Sequence, residues 1–352
     1  MRNKTSLRLP GLIDVHVHLR VPGGEHKEDI RTGTAAALAG GFTTVLAMPN
    51  THPPLVTSKD LHAACQQARR EALCDVRYFA GASAEFTDEL TAMSRDAVGL
   101  KIYMDETYGP LRVSSLLSLM ACFRSWACAK PIAVHAEGRS VAVALGLATA
   151  FQKRVHVCHV SRKEEIALIV AAKQRGVPVT CEVTPHHLFL TEADGRALGW
   201  RAEVRPVLAT KEDVNALWTH LDNAIDCVAT DHAPHTVAEK QAEGGFPGVP
   251  GLETALPLML TAVVDERLTL ERLVMLMAAN PQRLFGLPNQ PDTWVEVDVG
   301  RPHTIRDDRL ETKCGWSPFS GMEVKGRVRR VQLRGRVVYE DGDIRTRTSE
   351  PL

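Results

Sequence analysis

Two histidines and an arginine stand at alternate positions in the segment Asp14–Arg20, directly after the apolar run Leu9–Ile13. In an extended chain, residues i, i+2 and i+4 point to the same face, so His16, His18 and Arg20 converge on one pocket. Paired imidazoles bind metal ions, and a guanidinium binds anions. Coincidence is the alternative, since 14 histidines in 352 residues give roughly 0.5 His-x-His pairs by chance. The rest of the chain decides between them.

Four further polar residues each end a hydrophobic run, as residues at strand ends do. They are Lys101 after 97–100, His135 after 131–134, His159 after 155–158 and Asp231 after 225–230. In a parallel (β/α)8 barrel, the carboxyl ends of the strands open on one face, where the active site is assembled. We therefore predict that these four residues lie close to the two histidines of the first segment.

Short β-rich runs alternate with amphipathic runs along most of the chain. Strands are predicted near 12–18, 42–48, 75–82, 98–103, 131–135, 154–159, 178–183 and 225–230. Helices are predicted near 26–39, 58–72, 113–126, 138–151, 162–175 and 209–222. Eight strands with intervening helices predict an α/β fold, a (β/α)8 TIM barrel over residues 13–288 that forms the catalytic domain.

The pattern changes after this region to an alternation with period two, at 295–299 and 324–339. Such alternation predicts antiparallel strands outside the barrel, joined by the first residues of the chain. We predict a small β-rich accessory domain from 1–12 and 289–352, whose arginines form a solvated sheet face rather than a binding patch. The abrupt start and the polar end 345–352 would suit a domain of a longer chain.

Composition restricts the class of partner. Lysine plus arginine and aspartate plus glutamate are equal at 42 each, which argues against a nucleic acid or an anionic membrane as partner. A small-molecule substrate is therefore expected. The eight cysteines include no Cys-x-x-Cys pair, and no signal peptide precedes them, so reduced thiols in the cytoplasm are the simplest interpretation. No apolar stretch reaches the length of a membrane span.

The candidate ligands are too many for one four-coordinate zinc ion, and they suit two metal ions with a bridging group. Lys101 is the residue on the predicted fourth strand that can supply the bridge. A neutral lysine amine adds CO2 to give a carbamate, an anion with two oxygens that can each bind one metal ion. A surface lysine is the alternative, although Lys101 directly follows an apolar run.

The sequence resembles the amidohydrolase superfamily and, within it, the dihydroorotases. One family signature is similar to residues 14–23, and the other is similar to residues 229–235 with Lys240. The similarity covers essentially the whole chain, through 48–50, 99–101, 135–137, 184–187 and 245–248. It is closest to the dihydroorotase domain of animal multifunctional pyrimidine-synthesis proteins. One departure is Val21, where the family usually has an acidic residue.

The resemblance implies a zinc-dependent cyclic amide hydrolase that interconverts N-carbamoyl-L-aspartate and L-dihydroorotate in pyrimidine biosynthesis. Two zinc ions are implied, and a carbamylated Lys101 would bridge them. His16 and His18 would hold the first ion, and His135 and His159 the second. Asp231 would contact the first zinc ion and transfer the proton between water and the ring nitrogen. A cytoplasmic homodimer is also implied, and fusion to carbamoyl phosphate synthetase and aspartate transcarbamoylase domains stays open.

Substrate choice depends on the exocyclic carboxylate of dihydroorotate, which a plain dihydropyrimidine or hydantoin lacks. Arg20, Asn50 and His235 match the family's carboxylate-binding residues, and such a group is a sensible anion clamp. A turn residue before Thr51 is the alternative for Asn50. Arg205 is a further candidate for contact with the substrate ring.

Two groups near the predicted ligands have open roles. Cys158 precedes His159, so on a regular strand it would face away from the ligands as a buried core thiol. Glu182 lies on the predicted seventh strand, where a buried carboxylate needs a cation or donors. A strand end can also twist enough to bring the Cys158 thiol near the metals. Glu182 could support a ligand, or it could hold a third zinc ion together with Cys158.

The segment 104–112 contains Gly109 and Pro110 between polar residues, which predicts a loop over the pocket mouth. Thr107 and Tyr108 resemble the threonine–aromatic pair with which animal-type dihydroorotases cover the substrate. An ordinary surface loop is the alternative.

Two other functions remain as alternatives. A different cyclic amidase, such as a hydantoinase or allantoinase, would share the metal chemistry, but the three predicted carboxylate-binding residues argue against it. A metal-free, dihydroorotase-like scaffold domain would act structurally, but the complete set of expected ligands argues against that function. Metal analysis and an assay with dihydroorotate would separate the three.

Overall fold

The computed structural model describes residues 6–85 and 87–345. The strands in these ranges are β1 Ser6–Pro10, β2 Leu12–Val17, β3 Phe42–Ala47, β4 Asp75–Tyr78, β5 Ala80–Gly81, β6 Leu100–Tyr103, β7 Ile132–His135, β8 Val155–Val157, β9 Val179–Val183, β10 Cys227–Val228, β11 Trp294–Asp298, β12 His303–Thr304, β13 Glu323–Val324, β14 Arg327–Leu333, β15 Arg336–Glu340 and β16 Asp343–Ile344. All eight predicted strands are confirmed, and the one predicted at 75–82 is divided into β4 and β5.

The helices are α1 Ile30–Ala39, α2 Ser58–Glu71, α3 Leu90–Met93, α4 Leu116–Ser125, α5 Arg139–Phe151, α6 Lys163–Gln174, α7 Pro185–Phe189, α8 Glu192–Leu198, α9 Lys211–His220, α10 Val237–Gln241, α11 Leu252–Val264, α12 Leu270–Val274 and α13 Asn280–Leu284. The six predicted helices are confirmed, but the first begins later than predicted. Asp29 caps α1 by accepting a hydrogen bond from the backbone N–H of Thr32, so the preceding residues form turns.

Two parallel sheets form the centre of the α/β fold. One has the order β2-β3-β4, and the other runs in order from β5 to β10. Only Phe79 separates β4 from β5, so the chain passes directly from one sheet to the other. At the opposite edges, Val17 forms a parallel bridge with His232, just after β10. The backbone N–H of His18 also donates to the carbonyl of His232 at 2.8 Å.

Most of the parallel strands are short and buried along their length, as in α/β folds in which helices cover the sheet. Every residue of β2, β3, β6, β7 and β8 is buried. Parallel pairing places Lys101 beside Ala133 and Tyr103 beside His135, so successive strands end at the same edge. Polar residues at these ends are therefore brought together within an apolar surrounding.

A separate antiparallel sheet has the order β1-β11-β14-β15-β16. Ser6 pairs with Asp298 and Pro10 with Trp294, which confirms that an early strand joins the late ones. Burial alternates along β11, as the period-two pattern predicted. The division into two domains stays a prediction, and its terminal parts, 1–5 and 346–352, lie outside the described residues. Among the helices in the described ranges, none is long and apolar enough to cross a membrane.

Candidate metal centre and substrate pocket

The histidines of β2 and the aspartate after β10 meet at the shared strand edge. Nε2 of His16 lies 3.2 Å from Oδ1 of Asp231, and Nε2 of His18 lies 3.1 Å from the same oxygen. Asp14 joins the two strand ends, because its carboxylate accepts from the backbone N–H groups of His16 and Thr230. Burial raises the pKa of Asp14 to about 7. The sequence motif contained this aspartate, but nothing in its position indicated that it joins the first and last parallel strands.

His135, at the end of β7, and His159, after β8, form the second group of imidazoles. Nδ1 of His135 lies 2.9 Å from Nε2 of His159. Within the described residues, the other ring nitrogen of each is buried without a hydrogen-bond partner, although Oε1 of Glu137 lies 3.4 Å from Nε2 of His135. Burial lowers the pKa of both histidines. Neutral imidazoles with free nitrogen atoms are the form that binds metals.

Lys101 lies between these groups and is fully buried at 0 % exposure, so it is not a surface lysine. Its Nζ donates to Sγ of Cys158 at 3.0 Å. The expectation that Cys158 faces away from the ligands is therefore wrong. The physical reason is that β8 ends at Val157 and His159 has a positive φ of 34°, so the strand alternation does not continue through this pair.

Glu182 on β9 is fully buried and contacts two histidines, one of which is a predicted metal ligand. Its Oε1 lies 2.5 Å from Nδ1 of His16, and its Oε2 lies 3.0 Å from Nε2 of His156. Burial by itself raises the pKa of Glu182, but His16 and His156 outweigh it and hold the pKa below its usual range. His156 was not predicted as a site residue. The only signal available was its position three residues before His159.

The donor set fits metal ions on two independent observations. Donor atoms from His16, His18 and Asp231 lie within 4.8 Å of one another, and so do donor atoms from His16, Cys158 and Glu182. Within the described residues, the unpartnered ring nitrogens of His135 and His159 supply the second observation. Nitrogen, carboxylate oxygen and thiolate sulfur are the donors that zinc prefers.

The predicted carboxylate-binding residues lie on one side of these donors. Arg20 is buried with φ 62°; its Nε donates to the carbonyl of Pro234, and its Nη2 lies 2.9 Å from Nε2 of His235. Oδ1 of Asn50 lies 2.7 Å from Nδ1 of His18, so Asn50 is more than a turn residue. One pocket is lined by His18, Arg20, Asn50, Thr107, Tyr108, Arg205, Asp231, Ala233, Pro247 and Gly248.

The 104–112 segment lies against this pocket, and Thr107 and Tyr108 both line it. Asn50 Nδ2 donates to the carbonyl of Tyr108 at 3.1 Å, and the Tyr108 ring packs edge-on against His235. Arg205 also lines the pocket, but its Nη1 donates to Glu203 at 2.7 Å. The structure thus brings every predicted substrate residue to one place.

Charge at the metal end is set by close carboxylate–imidazole contacts. Burial alone would raise the pKa of Asp231, but the neighbouring imidazoles of His16 and His18 hold it well below its ordinary value. The pKa of His18 is lowered to about 4 by burial, so this histidine is neutral. Asp231 is accordingly an ionised carboxylate beside neutral His18. Burial opposes a charge on His16, but Asp231 and Glu182 outweigh it and raise the pKa of His16 to about 10.

Residues 7–291 match the model of the amidohydrolase family. The chain belongs to the amidohydrolase family. It is 52% identical over 345 residues to the multifunctional protein CAD of Squalus acanthias, covering 98% of this chain and 15% of that protein. It is 36% identical over 358 residues to the dihydroorotase of Pyrococcus furiosus, covering 97% of this chain and 84% of that enzyme. Within the family, the chain therefore groups with the dihydroorotases.

Two solved structures are similar over 97% of this chain. An L-hydantoinase (dihydropyrimidinase) from Arthrobacter aurescens has a TM-score of 0.93 at 28% identity and is covered to 87%. An inactive dihydroorotase-like domain of a Chaetomium thermophilum CAD-like multifunctional protein has a TM-score of 0.82 at 30% identity and is covered to 96%. A hydantoinase and an inactive dihydroorotase-like domain therefore both have this fold. The function of this chain has to be inferred from the residues of its site.

Proposed function

We propose that this chain is a zinc-dependent dihydroorotase, which interconverts N-carbamoyl-L-aspartate and L-dihydroorotate in pyrimidine biosynthesis. One observation carries the proposal: the metal donors and a buried guanidinium share one pocket. His18 and Asp231 line it together with Arg20, and Arg20 is backed by His235 at 2.9 Å. A cyclic amide with a carboxylate substituent needs both the metal donors and the guanidinium, whereas an uncharged ring needs only the metal donors.

Two zinc ions would be held by the strand-end residues. His16, His18 and Asp231 would hold the first, His135 and His159 the second, and carbamylated Lys101 would bridge them. Cys158 and Glu182 would hold a third ion, since their donor atoms lie within 4.8 Å of one another. When bound, zinc supplies Lewis acidity, which activates water and polarises an amide carbonyl.

Asp231 would move the proton that the reaction requires. Its low pKa keeps the carboxylate ionised. An ionised carboxylate at this position would accept a proton as water adds to the ring amide carbonyl. The same group would then deliver this proton to the ring nitrogen as the carbon–nitrogen bond breaks. In the reverse direction, Asp231 would take the proton from the attacking nitrogen and return it to the departing water.

The substrate carboxylate would lie between Arg20, Asn50 and His235. Burial of Arg20 excludes water from the guanidinium and strengthens a charge-assisted hydrogen bond. Arg205 would contact the substrate ring, and Thr107 and Tyr108 would cover it.

Several wider features belong to the same proposal. The eight parallel strands would form one closed TIM barrel over 13–288, with an accessory β domain from 1–12 and 289–352. The contacts of β2 with the segment after β10 support closure. A cytoplasmic homodimer is proposed, as is fusion to carbamoyl phosphate synthetase and aspartate transcarbamoylase domains, since the chain spans 15% of the CAD protein that it matches.

Metal analysis and substrate comparison test the proposal. We expect at least two zinc ions per chain and turnover of dihydroorotate and carbamoyl aspartate far above that of hydantoin, allantoin or dihydrouracil. Preference for an uncharged ring would assign another cyclic amidase. A metal-free chain without turnover, even after zinc and bicarbonate are supplied, would assign a scaffold domain.

The pH dependence of the equilibrium tests the substrate pair itself. Carbamoyl aspartate carries two negative charges and dihydroorotate one, so ring closure consumes one proton. Lowering the pH by one unit should therefore shift the equilibrium toward dihydroorotate about tenfold. A pH-independent product ratio between about pH 5.5 and 9 would contradict this pair of substrates.

A further inference from the structure

Lys27, in the turn before α1, is a buried lysine that the proposed mechanism leaves without a role. Its side chain is only 3 % exposed. Its Nζ lies 3.2 Å from Nδ1 of His235, 3.2 Å from the hydroxyl of Tyr108 and 3.0 Å from Oε1 of Glu239. An ammonium group has three donors and no acceptor, so these three acceptors satisfy it fully.

The ammonium group influences which nitrogen of His235 carries the proton. Lys27 only donates, so its contact favours a lone pair on Nδ1 of His235 and the ring proton on Nε2. Arg20, 2.9 Å from Nε2, also only donates and favours the opposite tautomer. The carbonyl of Pro247, 3.1 Å from Nε2, accepts from the Nε2–H. The opposite tautomer would put an N–H against the ammonium and a lone pair against the carbonyl. Burial and the nearby cations, Arg20 first, lower the pKa of His235, so the ring is neutral.

With the proton on Nε2, two donors face each other in direct contact beside the pocket. Nη2 of Arg20 lies 2.9 Å from Nε2 of His235, and both carry hydrogen. A carboxylate oxygen placed beside this pair would accept from Arg20 and share the single Nε2–H with the Pro247 carbonyl, which relieves the conflict between the two donors. With the proton on Nδ1 instead, Nε2 would turn a lone pair toward the carboxylate and repel it.

Lys27 also reaches the loop that borders the pocket. The Tyr108 hydroxyl accepts from Nζ, and the Tyr108 ring packs edge-on against His235 at 5.2 Å and Phe246 at 5.1 Å between centroids. His235 stacks on Phe246 at 5.5 Å with an interplanar angle of 11°. One ammonium group therefore fixes both the ring that faces the carboxylate and the tyrosine that covers it.

We propose that Lys27 is a positioning residue for the substrate carboxylate: it keeps the proton of His235 on Nε2 and holds Tyr108 over the pocket. This inference rests on the proposed function, because the anion that it serves is the carboxylate of dihydroorotate. Lys27 touches neither the reacting atoms nor the metal donors, so its removal should leave the zinc content unchanged.

The tautomer is measured directly by nitrogen NMR on the zinc-loaded enzyme with ¹⁵N-labelled histidine. The His235 signals are assigned by their loss in His235→Gln. We expect an unprotonated Nδ1 in the wild type and a protonated Nδ1 in Lys27→Met, because Arg20 then donates to Nε2. Lys130→Met is the matched control, since Lys130 also donates to three acceptors, the carbonyls of residues 94, 95 and 97.

Kinetics supply the second readout. Lys27→Met should raise KM for dihydroorotate about tenfold or more and change kcat less than about threefold, because a charge-assisted contact is lost in substrate binding. Tyr108→Phe removes only the hydroxyl, so it should raise KM about threefold and leave the His235 tautomer as in the wild type. Lys130→Met should change neither quantity.

A protonated Nδ1 in the wild type, or an unchanged KM in Lys27→Met, would overturn the role of Lys27. If Lys27→Met does not fold, Lys27→Arg decides: it retains donors, so Nδ1 should stay unprotonated and KM should stay within about threefold of the wild type. A wild-type enzyme without turnover of dihydroorotate would overturn the proposed function instead, while the tautomer comparison would still test the link between Lys27 and His235.

Discussion

Charged side chains are arranged in opposite ways at the carboxyl ends of the parallel strands and on the outer antiparallel sheet. At the strand ends, Glu182 and Lys101 are fully buried and contact other polar groups of the site. On the outer sheet, Arg329 pairs with Asp341, and both side chains are more than two-fifths exposed. The same chemical types thus serve a site in one region and a solvated surface in the other.

This difference teaches where charge has an energetic cost. A buried charge costs several kcal/mol unless partners compensate it, whereas an exposed ion pair contributes about 0–1 kcal/mol. Removing one member of the strand-end group should therefore disturb its neighbours strongly, and removing one member of a sheet pair should not. The predictions below test that contrast, beginning with the largest effect.

Lys101→Ala should have the largest effect, because it removes the anion that would hold two dications together. We expect loss of most bound zinc and a fall in turnover of about a thousandfold or more, measured by elemental analysis and by assay in both directions. Lys153→Ala, at the opposite end of β8, provides a control that should keep its zinc. A Lys101→Ala protein with two zinc ions and near-normal turnover would exclude the carbamate bridge.

Asp231→Asn should retain the fold and much of the zinc but lose turnover by about 10²–10⁴-fold in both directions, because an amide cannot transfer the proton. Asp341→Asn on the outer sheet makes the same chemical change at an exposed ion pair and should keep full activity. Elemental analysis separates proton transfer from metal binding in these variants. If Asp231→Asn stays active in either direction, another group moves the proton.

Arg20→Met should change discrimination more than metal content. The lost contact to the substrate carboxylate is worth about 1.5–3 kcal/mol, which corresponds to roughly 10–150-fold in kcat/KM for dihydroorotate. The affinity for orotate should fall by a similar factor in calorimetry, and the affinity for uncharged uracil should not. Equal losses of affinity for the charged and uncharged rings would show that Arg20 does not bind the substrate carboxylate.

Arg334→Gln should have the smallest effect. Arg334 makes a bidentate pair with Asp75, at 2.7 and 2.9 Å, that joins the outer sheet to β4. Because the pair is partly exposed, its loss should lower the free energy of unfolding by about 1 kcal/mol or less and leave the zinc content unchanged. A loss of several kcal/mol in urea unfolding would show that the two regions are coupled more tightly than their exposure indicates.

Periodicity in the sequence was enough to predict the strands and the strand-end donors, because burial on both faces leaves short apolar runs that end in polar residues. The segment that begins at Asp14 is the clearest case, since alternation alone placed His16 and His18 on one side. The family resemblance was needed for Asn50 and His235, whose local patterns are those of ordinary loop residues.

Contacts between distant segments could not be predicted. Lys27 lies in a turn, and nothing near it in the sequence indicates that its ammonium group meets His235, which is 208 residues away. Cys158 shows a different limit. Strand alternation predicted the wrong face for its thiol, because a positive φ at the next residue ends the regular geometry.

The pairing of β1 with β11 has a consequence for how the protein is made. The hydroxyl of Ser6 on β1 donates to the carboxylate of Glu296 on β11, and the two residues are 290 positions apart in the sequence. Ribosomes add about 5–20 residues per second, so roughly 15–60 seconds pass between the synthesis of these two residues. During that interval the early strand leaves the exit tunnel with its hydrogen-bonding edge uncovered, and it depends on chaperones or on fast completion of the chain to avoid pairing with other nascent polypeptides.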